Sequence, residues 1–374
     1  MVNGKMRSTL YEQYARVTTD DAGMSSPLRW ALAPLVPLSH LYGLGMLARE
    51  RCYAAGLIAQ RALPVKVISI GNLSVGGTGK TPVVIALANA LRGNGRRVGI
   101  VSRGYGRRAL EAILEVSDGQ SLQSNPENTG DEPLLIAERC PDVPVVVGAD
   151  RYAAGRYLLD RFEVDTLVLD DGFQHLALKR DIDVVLLDAT APFGNSDLLP
   201  RGRLRERLSA LERASLICVT RAGQAGDLAG VLKAIRRVAP AIPVCVTDFI
   251  PTALEKIGAS SESQTPDALK GERVVALSGI GNPDSFRRLL ESLGATVVDH
   301  CIFPDHHRYS VQDVRGVAKI VANLQADRVV TTEKDKVKLQ LLGDSASQSG
   351  MWIVRIDVNW LEGWKEWERL VLQN

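Results

Sequence analysis

Residues 71–82 read GNLSVGGTGKTP. Gly79-Lys80-Thr81 carries the residue types that hold a nucleotide phosphate. In such a loop backbone N–H groups ring the β-phosphate, and a helix N-terminus adds positive potential. Gly76, Gly77 and Gly79 leave room for the backbone to approach, with Val75 and Thr78 between them. Lys80 would hold the β- and γ-phosphates, and Thr81 would place a hydroxyl on Mg²⁺. The pattern G-x-x-x-x-G-K-[ST] asks for glycine where Ser74 stands, although Gly71 lies three residues earlier. The alternative is a glycine turn followed by a chance Lys-Thr. Mg²⁺ also needs a carboxylate at the end of a neighbouring strand. TLVLDDGFQH (166–175) offers Asp170 and Asp171, and DVVLLD (183–188) offers Asp188 as a rival. One terminal Asp is often a turn former. Two adjacent acids repel unless a cation or basic group lies near, which favours Asp170 and Asp171.

Four further polar clusters have chemical potential. VSRGYGR (101–107) could bring Arg103 and Arg107 to phosphate and Tyr105 to a stack or hydrogen bond, or be a solvated turn. TGDEPLL (129–135) puts Asp131 at a helix start, where it is also a natural N-cap. LPRGRLRERLSALER (199–213) carries five arginines against two glutamates. It reads as a clamp on anionic phosphate or as a solvated helix face. FPDHHRYS (303–310) joins Asp305, His306, His307 and Arg308. Adjacent histidines point different ways, which disfavours a metal pair. One of them held by a carboxylate would make a general base near neutral pH; a structural histidine is the other reading.

These groups need a scaffold that presents them together. VKVISI (65–70) reads as a strand, and TPVVIALANALRGNG as a helix with Val83, Val84, Leu87, Ala88 and Leu91 on one face. The glycine loop therefore joins a strand to a helix, as the motif requires. Strands are expected at 98–102, 143–147, 166–170, 183–188 and 214–219, with helices from Asp131 and over 150–161. Residues between Ser102 and Gly130 read as turn-rich. Near-continuous apolar strands alternating with helices indicate a parallel sheet covered on both faces. A second unit is expected after about Arg221, with strands near 243–248, 273–277, 296–299, 328–332 and 352–357. Its helices fall near 283–293, 311–324 and 361–372, the last able to pack back on the first unit. GASSESQTPDA (258–268) reads as a loop. The expected organisation is an extension (1–27), an apolar segment (28–62), a core (63–221) and a smaller α/β unit (222–374).

The chain has 374 residues, too many for one ordinary domain. Its 45% hydrophobic and 24% charged content is that of a globular protein, and a net charge of +2 gives no basis for nucleic-acid binding. Five scattered cysteines without C-x-x-C spacing point to a reducing compartment, not a disulfide framework or zinc site. Residues 1–27 mix acids and bases and carry no secretory signal. Trp30–Ala48, WALAPLVPLSHLYGLGMLA, lacks Asp, Glu, Lys and Arg over 19 residues. Pro34, Pro37, Gly43 and Gly45 make it a poor continuous span. Arg29, Arg49, Arg51 and Arg61 flank it, which suits an interfacial anchor on an anionic leaflet. A buried core helix and a true span are the alternatives.

Membrane-cycling partition ATPases place a signature lysine where this chain has Val75. GTPases read guanine through [NT]-K-x-D, and TTEKD (331–335) sets Lys334 directly before Asp335. ATP is the better expectation. A membrane-associated ATPase switch of the partition type, and a ligase acting on a soluble acid, remain the rivals.

In order, GNLSVGGTGKTP, SRGYGR, GDEP, DDGFQH, GRLRE, DHH and TEKD resemble the tetraacyldisaccharide 4′-kinase family of lipid A biosynthesis, from about Trp30 onward. The resemblance implies a doubly wound phosphate-loop core with a smaller C-terminal unit and a membrane-associating N-terminal segment. It implies transfer of the ATP γ-phosphate, with Mg²⁺, to the 4′-hydroxyl of a tetraacylated glucosamine disaccharide 1-phosphate, at the cytoplasmic face of the Gram-negative inner membrane. Ser74–Thr81 would form the ATP loop, Ser74 being the family's own variant. Asp170 and Asp171 would sit by Mg²⁺. Asp131 would act with His306, chosen over His307, to deprotonate the sugar hydroxyl. Arg151, Arg205 and Glu206 would lie near the phosphates or metal, and Tyr105 and Arg103 would line the cleft, between the two units.

Overall fold

The computed structural model describes residues 32–372 except 106, 108–110 and 348, with the side chains of 259–261 and 347 also left aside. The expected extension over residues 1–27, and Arg29 and Trp30, lie outside these residues. Among the described residues thirteen strands form one sheet. The strand before the glycine loop, β1 (Lys66–Asn72), is buried on both faces from its second residue on, Ser69 and Asn72 included. It lies between β5 (Thr166–Asp170) and β6 (Ile182–Asp188), parallel to both. β2 (Val98–Ser102) and β4 (Val145–Gly148) extend the sheet beyond β5, and β7 (Leu216–Thr220) extends it beyond β6. The chain thus leaves β1 toward one side and later returns to the other. In such sheets the crevice at the carboxyl ends of the strands binds the ligand.

The helix after the glycine loop, α2 (Lys80–Gly93), buries Val83, Val84, Leu87, Ala88 and Leu91 against the sheet. It follows α1 (Val36–Ala54) in chain order. Two more helices open on the same crevice, α3 (Asp131–Arg139) and α4 (Arg151–Arg161), the latter capped by Asp150.

The long strand β8 (Val244–Lys256) carries the sheet onward. Its first residues pair in parallel with β7, and nearly its whole length pairs antiparallel with β13 (Trp352–Glu362). β13 then meets β12 (Arg328–Thr332), followed by β10 (Arg273–Ser278) and β11 (Thr296–Ile302).

Several elements differ from the sequence reading. β3 (Ile113–Ser117) falls in the section read as turns, and β9 (Ala259–Gln264) in the segment read as a loop. β3 ends the sheet on β4, and β9 is a side strand on β8; both pair antiparallel. Such strands need no continuous apolar pattern, which hid them. Helix α5 (Leu228–Val238) was not anticipated, although Leu228, Val231, Leu232, Ile235 and Val238 share one apolar cluster at helical spacing. The expected helix over 361–372 is shorter, because β13 runs to Glu362. Only after Gly363 does Trp364–Trp367 turn helical, and Val371 and Leu372 join the apolar cluster of α2.

Helix α1 is not a core helix. Only Ser39 and Gly43 are buried, while Leu38, Leu41 and Leu44 are exposed. Among the described residues no helix is long and apolar enough to cross a membrane. Ser39 Oγ donates to Leu198 O (3.0 Å) and Tyr42 Oη to Arg205 O (2.8 Å). These bonds seat α1 on the GRLRE segment.

Candidate active site

The glycine loop is held from both ends. Asn72 Nδ2 donates to Ser74 O (2.7 Å) and Thr78 Oγ1 (2.9 Å), and Thr220 Oγ1 at the end of β7 donates to Thr78 O (3.0 Å). From outside, Val75 N donates to Arg203 O (2.8 Å), Arg203 Nε donates back to Val75 O (3.0 Å), and Ser74 bridges Leu204. Ser74 thus sits in a backbone pairing with GRLRE. Gly79 closes the loop at φ +80°, and a Cβ there would lie 2.3 Å from Phe249 Cζ. Both facts require glycine.

Next to this loop, the paired acids occupy different environments. Asp170 ends β5, is buried, and accepts from Ser102 Oγ (2.8 Å). Burial, together with the like charges of Glu132 and Asp171, pushes its carboxyl up to about 6. Asp171, at φ +54°, accepts from Arg205 Nη1 (2.9 and 2.8 Å), and Lys80 Nζ lies 3.5 Å away. Burial opposes its charge, but Lys80 and Arg205 outweigh it and hold the carboxyl at about 2. The rival Asp188 is taken by Arg221 and Thr190.

The Thr81 hydroxyl, Asp170 and Asp171 form a set of hard oxygen donors beside the phosphate loop. Mg²⁺ takes such a set, usually with one or two carboxylates plus phosphate oxygens. Asp170, buried among like charges with a single hydroxyl partner, is a carboxylate that a cation completes. The residues therefore fit Mg²⁺.

Asp131 begins α3 and is 5% exposed. His306, in the loop after β11, places Nδ1 2.9 Å from Asp131 Oδ1. Asp131 Oδ2 has no hydrogen bond; Lys338 Nζ is 3.6 Å and Lys334 Nζ 3.9 Å away. Burial opposes ionisation of Asp131, yet His306, Lys334 and Lys338 hold its carboxyl well below the usual range. For His306 burial works against the charged ring, while the Asp131 hydrogen bond and the carboxylates of Asp131 and Asp305 outweigh it and raise the pKa. The Tyr105 ring lies 5.5 Å from that of His306. His307 turns elsewhere, with Nε2 3.2 Å from Asp313 Oδ2 and its ring stacked on Phe303.

These groups face one cleft of about 880 Å³. Val75–Thr81, Arg103, Tyr105, Asp170, Asp171, Arg205 and His306 line it, and it reaches α1 at Tyr42 and Met46. Arg151 and Glu206 do not line it. Arg151 donates to Gly148 O (3.3 Å) and Ala149 O (2.9 Å), and burial together with Arg103 lowers its pKa. Glu206 is buried and accepts from Arg213 (2.7 Å), whose guanidinium also meets Glu50 of α1.

Sequence reasoning overlooked part of the wall. Lys334 meets Glu132 and Asp305 in the cleft, whereas TTEKD was read only as a string that sets aside guanine and carries the family resemblance, with no role for its lysine. Gly281 also went unnoticed; a Cβ on it would lie 3.0 Å from Gly77 N, so the halves touch backbone to backbone. No local signal marks such a contact. For Lys334, a basic residue inside an acid-flanked strand-to-helix junction was the available clue.

A strand–loop–helix that cradles phosphate, paired acids on the adjacent strand, and an Asp–His pair across the cleft define a P-loop kinase. A family model for tetraacyldisaccharide-1-P 4′-kinase matches residues 31–374. A tetraacyldisaccharide 4′-kinase of Anaeromyxobacter sp. (strain Fw109-5) is 43% identical over 343 residues, covering 89% of this chain and 88% of that one. Its counterpart in Syntrophus aciditrophicus is 42% identical over 315 residues, covering 80% and 82%. The crystal structure of LpxK from Aquifex aeolicus in complex with ATP superposes with a TM-score of 0.72 at 32% identity, covering 92% of this chain and 99% of that one. The chain belongs to the tetraacyldisaccharide 4′-kinase family.

Proposed function

We propose that this protein transfers the γ-phosphate of ATP to the 4′-hydroxyl of a tetraacylated disaccharide 1-phosphate, with the chemistry carried out in the cleft between the glycine loop and the Asp131–His306 pair. The observation that carries this reading is that pair: a base held across from a phosphate loop is what a hydroxyl acceptor needs. His306 lines the cleft, and Asp131 lies behind it. With Nδ1–H donating to Asp131, His306 Nε2 is left to take the hydroxyl proton, and Asp131 stabilises the imidazolium that results. Lys80 and the loop N–H groups hold the phosphates, and Arg205 and Arg103 add positive charge along the same wall. Thr81, Asp170 and Asp171 would hold Mg²⁺, which supplies charge neutralisation on the transferring phosphoryl group. Arg151 acts from behind the wall, its field falling on Asp170 and Asp171. Glu206, through Arg213, ties the GRLRE segment to α1 at Glu50.

A lipid with four acyl chains stays in its bilayer, since each buried methylene contributes about 0.8 kcal/mol to retention. The enzyme must go to it. Leu38, Leu41 and Leu44 give an exposed apolar edge to α1, the helix whose Tyr42 and Met46 line the cleft. That edge supports peripheral docking on the bilayer, and the need for ATP favours the cytoplasmic face of the inner membrane as the place of reaction. The test is transfer of label from γ-labelled ATP to a detergent-dispersed disaccharide lipid 1-phosphate. Labelled lipid is expected; ATP turnover with no labelled lipid would overturn the reading.

A further inference from the structure

Lys334 is the lysine of TEKD and sits one residue into α6 (Glu333–Leu339), directly after β12. Its ammonium is 2.9 Å from Glu132 Oε1 and 3.0 Å from Asp305 Oδ1. Each of these carboxylates is the chain neighbour of one member of the Asp131–His306 pair. Glu132 follows Asp131 at the start of α3, and Asp305 precedes His306 in the loop after β11. Asp305 also accepts from the His306 backbone N–H (3.0 Å), which fixes the turn at φ +60° that aims the ring. Lys334 Nζ is itself 3.9 Å from Asp131 Oδ2.

We propose that Lys334 is the positioning residue that assembles the general base, tying the Asp131 side of the cleft to the His306 side through Glu132 and Asp305. This rests on the reading of Asp131–His306 as the base. The physical case is one of geometry and charge. Asp131 and His306 lie on elements far apart in the chain, so no local turn sets their distance. Without an ammonium between them, the carboxylates of Asp131 and Glu132 on α3 would repel that of Asp305 in the His306 loop. One ammonium shared between the two flanking acids removes that repulsion and fixes the separation at which Nδ1 reaches Oδ1. A lysine suits the task because its point charge accepts two carboxylates from different directions, where arginine's planar fork prefers one. Lys338 Nζ, 3.6 Å from Asp131 Oδ2, is held differently, by Asp335 on its own helix (3.0 Å), and meets the loop after β11 at the Tyr309 ring, 5.4 Å from its centre, and not at a carboxylate beside His306.

The test compares Lys334→Met, which keeps the length and removes the charge, with Asp305→Asn, which cuts one half of the tie. For Lys334→Met, kcat for lipid phosphorylation should fall about 10- to 100-fold, within the range that general base catalysis contributes. The Kd for ATP by calorimetry should stay within about threefold, since Lys80 and the loop are untouched. For Asp305→Asn a smaller kcat loss is expected with the same ATP affinity. In Lys334→Ala, added propylamine should restore part of kcat, because Lys334 lines the open cleft. A wild-type kcat in folded Lys334→Met, or parallel loss of kcat and ATP affinity without amine rescue, would overturn the proposal. If Lys334→Met does not fold, the kcat and ATP affinity of Asp305→Asn decide in the same way. Asp131→Asn run alongside separates the two readings. Its inactivity beside an active Lys334→Met removes only the tie, whereas its full activity removes the base reading and the tie with it.

Discussion

His306 Nδ1 lies 2.9 Å from Asp131 Oδ1 across 175 residues of sequence, and this one bond joins the two walls of the cleft at the reacting centre. It also orders the roles: the imidazole faces the cleft, and the buried carboxylate orients it.

If that pair is the base, Asp131→Asn and His306→Ala should each lower kcat by about 100-fold or more while ATP still binds. The pH profile gives a sharper check. Asp131 raises the His306 pKa against burial, and a base must be neutral. Activity should therefore rise with pH through a value above the ordinary histidine figure of about 6.5, and be lost as pH falls through it. In Asp131→Asn the residual activity should show this limb at lower pH, because burial and Lys334 then dominate. An unmoved limb would assign the titration to another group.

Gly79 gives a test of the phosphate loop that leaves every charge in place. Alanine there meets both a left-handed backbone, at φ +80°, and the Phe249 ring. Strain of this kind costs about 1–3 kcal/mol. ATP affinity should drop roughly tenfold or more, read by calorimetry. Adding Phe249→Ala should recover only the share due to the ring contact. Unchanged ATP affinity in Gly79→Ala would mean the nucleotide does not use this loop.

At the neighbouring strand end, Asp170→Asn should raise the Mg²⁺ concentration for half-maximal rate about tenfold. The unfavourable burial that pushes Asp170 up to about 6 is relieved when a cation is bound beside it. Asp171→Asn acts differently, because it removes the partner of Lys80 and Arg205. Its ATP affinity should change along with its Mg²⁺ response. Identical Mg²⁺ titrations for Asp170→Asn and wild type would take Asp170 out of the metal site.

On α1, serine at Leu38, Leu41 and Leu44 together should cut co-sedimentation with anionic vesicles more than tenfold. Full burial of a leucine contributes about 1.5–3 kcal/mol. A short-chain acceptor in solution should be phosphorylated at the wild-type rate, since these side chains face away from the GRLRE segment. Equal vesicle binding by the two proteins would place the membrane contact elsewhere.

Much of this site was legible in the chain because it is local. Ser74–Thr81 are contiguous, and a buried strand before them with an amphipathic helix after them carry their own patterns. The adjacency of Asp170 and Asp171 at a strand end was likewise enough to prefer them to Asp188. Strands β3 and β9 were not legible, since each pairs antiparallel with one neighbour at the margin of the sheet and carries no continuous apolar run. Glu206 shares a string with Arg205 but, like Arg151, does not line the cleft, because a motif gives residue order and not the direction of a side chain.

The sequence by itself determined what binds and where the loop lies, because backbone geometry and short-range patterning suffice for a phosphate cradle. Only the tertiary structure decided which histidine joins Asp131, that Phe249 covers Gly79, and that Lys334 stands between Glu132 and Asp305. Those contacts depend on how β8 and β13 carry the sheet from one half of the chain to the other. Packing over such distances leaves no mark in the local order of residues.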